Sequence, residues 1–303
     1  MNSTAVNSTA VNTTAPLVDR LLVIGTGFMG ASLAAAVRSR GLARQVIGLD
    51  ASATAARAQS LGHLDSAIDS LKDLNQESGT LAVVVAAPVH AFDDIFAGLE
   101  QLHARCPLLW VTDIGSTKSG VIAACDRQLK ELAPRFVSSH PMAGSEKNGP
   151  SEANVALFEG ARVLISPMPQ SLDSVCVAIE QFWLAMGALP SAMPIQDHDA
   201  LLAVISHLPH AVAYSLAGAI AQSPLSGAAQ SLHGGGLRDT TRIAASSPEL
   251  WADIFLDNRE HLLRAWSDWS LQVQALQQAL HGSDRQRLID LLGQASRWRK
   301  GFQ

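Results

Sequence analysis

Short apolar runs recur along the first two thirds of the chain, each ending in glycine, proline or polar residues. The first is Leu21-Leu22-Val23-Ile24, and others lie at residues 45–49, 81–86, 108–111, 135–139, 161–166 and 189–193. Runs this short, bounded by turn residues and containing Val and Ile, predict strands buried on both faces. Residues 51–61, 92–102, 118–132 and 172–186, which lie between them, are compatible with helices. Strand and helix in alternation predict an α/β domain with a Rossmann-type, doubly wound, mostly parallel sheet and right-handed crossovers.

From Pro194 the strand pattern stops. Residues 200–220 are apolar nearly all round, interrupted by Ser206-His207-Leu208-Pro209-His210. A helix without a polar face must be buried on every side, and within the 110 residues of segment 194–303 that implies burial against a second subunit. Pro209 is expected to kink the helix and free the carbonyl of Ile205. Ser247-Pro248-Glu249 reads as a helix start with proline in the first turn. Ile254, Phe255, Leu262, Leu263, Trp266 and Trp269 then follow at amphipathic spacing. The expected organisation is therefore a disordered tail at 1–16, a dinucleotide-binding domain at 17–193 and an all-α substrate and dimerisation domain at 194–303.

Composition narrows the function. A net charge of −5 and 48% hydrophobic residues give no reason to expect nucleic acid or an anionic membrane as partner. No window approaches 18 uninterrupted apolar residues, so no membrane span is expected. Cys106, Cys125 and Cys176 are widely spaced, without a Cys-x-x-Cys, and read as free thiols in a reducing, cytoplasmic setting. The tail repeats Asn-Ser-Thr-Ala-Val and holds three glycosylation sequons, but no basic and apolar signal segment precedes them.

The first apolar run feeds Gly25-Thr26-Gly27-Phe28-Met29-Gly30, and a helix-compatible stretch follows. Strand, Gly-x-Gly-x-x-Gly and helix in that order form a dinucleotide fingerprint. Gly25 would make the tight turn, Gly27 would admit the pyrophosphate, and Gly30 would let helix and strand pack closely. The second strand ends in Asp50, twenty residues after Gly30. An acid there is placed to bond a ribose 2′-hydroxyl and repel a 2′-phosphate, which favours NAD over NADP. Asp50 could instead cap the following helix, and nearby Arg57 leaves NADP open.

In doubly wound sheets ligands sit beyond the carboxyl ends of the strands. Those ends carry Ala87-Pro88, Asp113-Ile114-Gly115-Ser116-Thr117-Lys118, and Ser139-His140 followed by Pro, Gly and small residues. His140 stands beside hydroxyls and a carboxylate, the material of a general-base site. Ser116 and Lys118 could be a nucleophile and its base, or a helix cap and a pocket hydroxyl. His207 and His210 lack a third ligand at metal spacing and read as pocket or packing residues, so no metal is expected. Arg238 and Arg242, after a glycine turn, suit bidentate capture of a carboxylate or a surface ion pair.

With these residues together, the sequence resembles the prephenate/arogenate (cyclohexadienyl) dehydrogenases of tyrosine biosynthesis. The likeness runs from about Leu17 to the C-terminus. It rests on the glycine motif, on Asp113 to Lys118, and on His140-Pro141-Met142-Ala143-Gly144-Ser145-Glu146. Ser206 to His210, and Gly236-Leu237-Arg238-Asp239-Thr240-Thr241-Arg242 with Trp251, complete it. The resemblance implies NAD-dependent oxidative decarboxylation in a homodimer joined through the helical domain. Hydride would leave ring C4 for the nicotinamide, the 4-hydroxyl would give up its proton, and CO2 would depart from C1. His140 would be the base on that hydroxyl, and Ser116 would hold the hydroxyl and orient the imidazole. Arg242 would bind a substrate carboxylate with support from Arg238. His207, His210, Ser145 and Glu146 would line the pocket, and Trp251 would close it. Gly25 to Gly30, Asp50, Ala87 and Pro88 would hold the cofactor.

The chain departs from the family in small ways, with Gly-Thr-Gly-Phe-Met-Gly-Ala at the fingerprint and Ala87-Pro88 in place of a common Thr-Pro. Neither prephenate nor arogenate is selected by any one residue, and the enzyme could prefer arogenate. A β-hydroxyacid-type dehydrogenase would want a lysine base on the helical side, where none precedes Lys300. A redox sensor that binds NAD without turnover would leave His140 and Arg242 without purpose.

Overall fold

A computed structural model describes residues 15–74, 79–144 and 147–302. The expected tail, but for Ala15 and Pro16, lies outside them. The strands are β1 (Val18–Ile24), β2 (Ala43–Leu49), β3 (Ser66–Ile68), β4 (Leu81–Val85) and β5 (Leu108–Asp113), with β6 (Val137–Pro141), β7 (Arg162–Pro167) and β8 (Leu189–Ala192) after them. Helices α1 (Phe28–Ser39), α2 (Ser52–Ser60), α3 (Phe92–Arg105), α4 (Ser119–Gln128) and α5 (Asp173–Ala185) lie among them.

The first five strands form a parallel sheet in the order β3-β2-β1-β4-β5, the winding of a dinucleotide-binding domain. Its central strands are buried on both faces, which is why they read as unbroken apolar runs. β3 escapes the sequence pattern because it is a three-residue, half-buried edge strand. The parallel rule stops at β6. A single parallel bridge, Val111 to Phe136, ties β6 to β5, and β6 then pairs antiparallel with β7, which runs parallel to β8. Two apolar clusters fill the faces of the sheet. One is built around Trp110, Phe158, Phe182 and Trp183, the other around Phe92, Phe96, Leu99 and Phe136.

No strand occurs after β8 among the described residues. The helical half comprises α6 (Ile195–Leu202), α7 (Leu208–Ala221), α8 (Ser226–Leu232), α9 (Gly235–Thr241), α10 (Pro248–Asp257), α11 (Arg259–His281) and α12 (Arg285–Lys300). Ser247 caps α10 through its hydroxyl, which accepts from Leu250 N. Just before Pro209, where the kink is expected, α6 widens into a π-helical turn at Ala203–His207, and Pro209 sits in the first turn of α7. Wide turns and prolines are both places where helices bend. The stretch Ile195–Ala221 is long and apolar enough by composition to cross a membrane. Its first turn, however, carries His198 and Asp199, both buried against the nucleotide-binding half.

Candidate active site

The glycine loop is shaped by contact. Gly25 has φ +90°, and a Cβ there would lie 2.5 Å from Ala86 O; a Cβ on Gly30 would lie 1.8 Å from Gly25 O. A Cβ on Gly27 would meet nothing within 4 Å, so this face of the loop is open. Gly27 precedes α1, whose first N–H groups have no side-chain cap. An uncapped helix N-terminus over open space fits a pyrophosphate. Asp50 ties the loop to β2: its carboxylate accepts from Thr26 N at 2.6 Å, from Thr26 Oγ1 at 3.2 Å and from Ala51 N at 2.6 Å. The cap of α2 is Ala51, without a side-chain bond, so Asp50 does not cap that helix. Thr26 is buried and spends its hydroxyl on Asp50. Arg57 points elsewhere, donating to Ser151.

The loop opens into a cleft of about 1410 Å³ between the two halves. Gly25, Gly27, Phe28, Met29, Gly30 and Asp50 line one end, with Ala87 and Pro88 beside them. Ser116 and His140 line it too, and His207, His210, Arg242 and Trp251 reach it from the helical half. Thr26 and Arg238 are not among the lining residues. Arg238 lies exposed on α9, whereas Arg242 begins a separate tight turn after that helix ends. Ser145 and Glu146 lie outside the described residues.

His140 ends a strand whose neighbours are tied down by a buried polar network. Lys118, fully buried, donates from Nζ to Asp113 Oδ2 at 2.6 Å, to Gly115 O at 2.9 Å and to Ser139 O at 2.8 Å. Asp113 Oδ1 also accepts from Ser138 Oγ at 2.5 Å. Ser139 Oγ bonds Thr112 Oγ1 at 2.8 Å and accepts from Trp183 Nε1 at 3.1 Å. Lys118 is thus locked in an ion pair and is not the base for Ser116, which excludes that nucleophile reading. Nor does Ser116 cap α4: the helix is capped from the other half of the chain by Asp199, which accepts from Lys118 N and Ser119 N at 2.8 Å each.

The imidazole of His140 is held from the same direction. Its Nδ1 lies 2.9 Å from Nε2 of His198, and Nδ1 of His198 lies 2.8 Å from Oδ1 of Asp199. The hydrogen bond that orients His140 therefore comes from His198, where Ser116 was expected. Burial pushes the imidazole of His140 well below its ordinary range, and Lys118, His198 and His207 add to that push. His140 is consequently neutral in ordinary buffers, as a base must be.

His207 is buried on the π turn, where Asn258 Nδ2 donates to its Nδ1 at 2.9 Å and to Asp199 O at 2.7 Å. Burial lowers its pKa to about 4. His210 stacks on Trp251 with ring centroids 3.5 Å apart, and its Nδ1 bonds Ser206 O at 2.9 Å. The ring of His207 meets the same indole edge-on, with centroids 6.1 Å apart, so both histidines pack on Trp251. His198 and Asp199 are absent from the sequence-based site. Their signal was an adjacent His-Asp pair at the mouth of an otherwise apolar helix.

Comparison with known proteins places this arrangement. A family model for the prephenate dehydrogenase nucleotide-binding domain matches residues 33–189, and one for the prephenate dehydrogenase dimerization domain matches residues 194–294. A prephenate dehydrogenase of Bacillus subtilis is 33% identical over 288 residues, 94% of this chain and 76% of that one. A cyclohexadienyl dehydrogenase of Zymomonas mobilis is 30% identical over 281 residues, 89% of this chain and 91% of that one. The crystal structure of Aquifex aeolicus prephenate dehydrogenase with hydroxyphenyl propionate and NAD+ superposes with a TM-score of 0.84 at 29% identity, over 94% of this chain and 98% of that one.

Proposed function

The chain belongs to the prephenate dehydrogenase family, and from that premise we propose that His140, Ser116 and Arg242 carry out its NAD-dependent oxidation and decarboxylation of prephenate. The observation that carries the reading is the neutral, oriented imidazole of His140 in one cleft with the glycine loop and with Arg242 from the helical half. NAD, when bound, accepts the hydride from ring C4. The residues of the fingerprint from Gly25 to Gly30, with Asp50, Ala87 and Pro88, would hold it; the open face of Gly27 and the uncapped start of α1 fit its phosphates.

His140 Nε2 takes the proton of the 4-hydroxyl as the carbon beneath it is oxidised. The C1–carboxylate bond then breaks, its electron pair enters the ring, CO2 leaves, and the proton returns from His140 to the oxygen. The step balances without any other acid or base. Aromatisation drives it, so the protein has only to orient the ring, move one proton and neutralise a carboxylate. Arg242 supplies the positive charge for that carboxylate, with Ser116 bonding the hydroxyl. His207, His210 and Trp251 shape the apolar wall. Arg238 acts as a supporting charge outside the cleft. The helical domain joins two copies into a homodimer, and the free thiols suit a cytoplasmic enzyme.

Initial rates of reduced-cofactor formation at 340 nm, with prephenate and arogenate each tested against NAD and NADP, examine the whole reading. Turnover of prephenate with NAD is expected. Turnover of arogenate alone would keep the chemistry and change the substrate. No turnover in any of the four combinations, with intact NAD binding, would refute the assigned roles.

A further inference from the structure

The groups behind His140 form a chain with a definite direction. Asp199 lies in the first turns of the helical half, docked on the start of α4 through Lys118 N, Ser119 N and Ser119 Oγ. We propose that His198 and Asp199 are positioning residues that force His140 into the one neutral tautomer able to act as base, with Nδ1 protonated and Nε2 bare toward the cleft. The proposal rests on the reading of His140 as the base.

The argument runs from the carboxylate outward. Burial opposes ionisation of Asp199, but hydrogen bonds from His198, Ser119 and the Lys118 backbone overcome it and hold the carboxyl well below the usual range. A carboxylate only accepts, so the contact at 2.8 Å requires a proton on Nδ1 of His198. Burial keeps His198 neutral despite that partner. A neutral imidazole carries one N–H, so Nε2 of His198 is an acceptor. The contact at 2.9 Å then requires a proton on Nδ1 of His140, and its Nε2 is left with a lone pair. The opposite assignment would turn the lone pair of His198 Nδ1 onto a carboxylate oxygen.

The charges facing His140 fit this role. Lys118 reaches it from the loop after β5, His198 and Asp199 from α6, and His207 from the π turn. Lys118, His198 and His207 disfavour an imidazolium, whereas Asp199 favours one. When His140 accepts the hydroxyl proton, the new charge points through His198 to Asp199, and no bond of either residue needs to break. Because His198 and Asp199 belong to the helical half and His140 to the sheet, the base is completed only when the two halves are docked.

Long-range 1H–15N correlation on full-length protein labelled with 15N-histidine reads the tautomer without any turnover. The expected spectrum shows His140 with Nδ1 protonated and Nε2 bare at pH 8. His198→Gln, which keeps an acceptor for Nδ1–H of His140, is expected to lower kcat by about 10-fold, and His198→Leu by about 100-fold, with KM for substrate nearly unchanged. Asp199→Asn should move the acid limb of kcat/KM to lower pH, since the carboxylate no longer favours the imidazolium; a purely structural role would not move it. An Nε2–H tautomer in the unaltered protein would overturn the proposal. So would wild-type kcat and an unmoved acid limb in both His198 variants. If the protein turned over no cyclohexadienyl acid, the functional reading would fail, and the tautomer spectrum would still decide this one.

Discussion

The two halves of the chain finish their cores in different ways. In the nucleotide-binding half the strands and the helices facing them bury Leu21, Leu33, Val84, Phe96, Phe136 and Trp183 almost completely. The helical half leaves large apolar side chains in the open: Leu232 is 82% exposed, Leu225 72%, Leu256 70% and Leu280 64%. Scattered exposed leucines are ordinary, but a domain that shows so many on successive helices has an uncovered face. Among the described residues, the nucleotide-binding half exposes none of its large apolar side chains beyond the 53% of Leu189, whereas the helical half is shaped to be completed by a second copy. The cleft is built where they meet. His140 belongs to the nucleotide-binding half, and Arg242, the stacked pair His210–Trp251 and His198 belong to the helical one.

That contrast can be attacked from its strongest point. Leu225→Glu combined with Leu232→Glu places two charges on the uncovered face. If a second copy covers it, each protomer loses two buried leucines at about 3–6 kcal/mol, so self-association should weaken by at least about 10²-fold. Sedimentation equilibrium across a range of concentrations measures it. A variant that associates like the parent chain would show that the exposed leucines are not the interface.

Acid tests the seam next. Burial holds His207 neutral, moving its pKa from the ordinary 6.5 to about 4. The unfolded chain takes up this proton near pH 6.5 and the folded chain does not, so stability falls as pH drops below 6.5 and levels off near 4. The loss is about 3 kcal/mol for this group, the difference of about 2.5 units at 1.36 kcal/mol each. Denaturant melts between pH 7 and 4 should show that slope, and His207→Gln should remove about one proton's worth of it. An unchanged slope in the variant would contradict the burial argument.

Arg242→Ala tests the contribution of the helical half to binding. A charge-assisted pair with a carboxylate is worth about 1.5–3 kcal/mol, so KM for prephenate should rise roughly 10- to 100-fold with kcat less affected. Arg238→Ala, on the exposed side of α9, should change KM by much less. Equal effects at both positions would mean that both arginines reach the substrate.

What was legible in the sequence follows the same division. β1, the glycine loop and α1 announce themselves by a local pattern, an apolar run feeding three spaced glycines, even though Gly25 is pinned by the distant Ala86 and only Gly30 by a near neighbour. His140 was visible because a strand ended there. His198 was not: its partner is 58 residues away in sequence, and a His-Asp pair at a helix start reads as an ordinary polar end. Asp199 caps a helix belonging to the other half, a long-range use of a short-range residue type. Arg238 and Arg242 both suited capture of a carboxylate by residue type, and only the fold, which ends α9 between them, puts Arg242 alone on the cleft. The π turn just before Pro209 has no signature in the sequence beyond that proline.

The pH dependence of kcat/KM for prephenate with NAD, compared between the unaltered chain and His140→Asn, tests the central claim most directly. The account predicts an acid limb in the unaltered chain, lying well below pH 6.5 because burial depresses the imidazole. In His140→Asn the rate should fall by about 10²–10⁴-fold and that limb should vanish, with NAD binding retained. A variant that keeps near-normal turnover, or keeps the same acid limb, would show that the proton goes elsewhere.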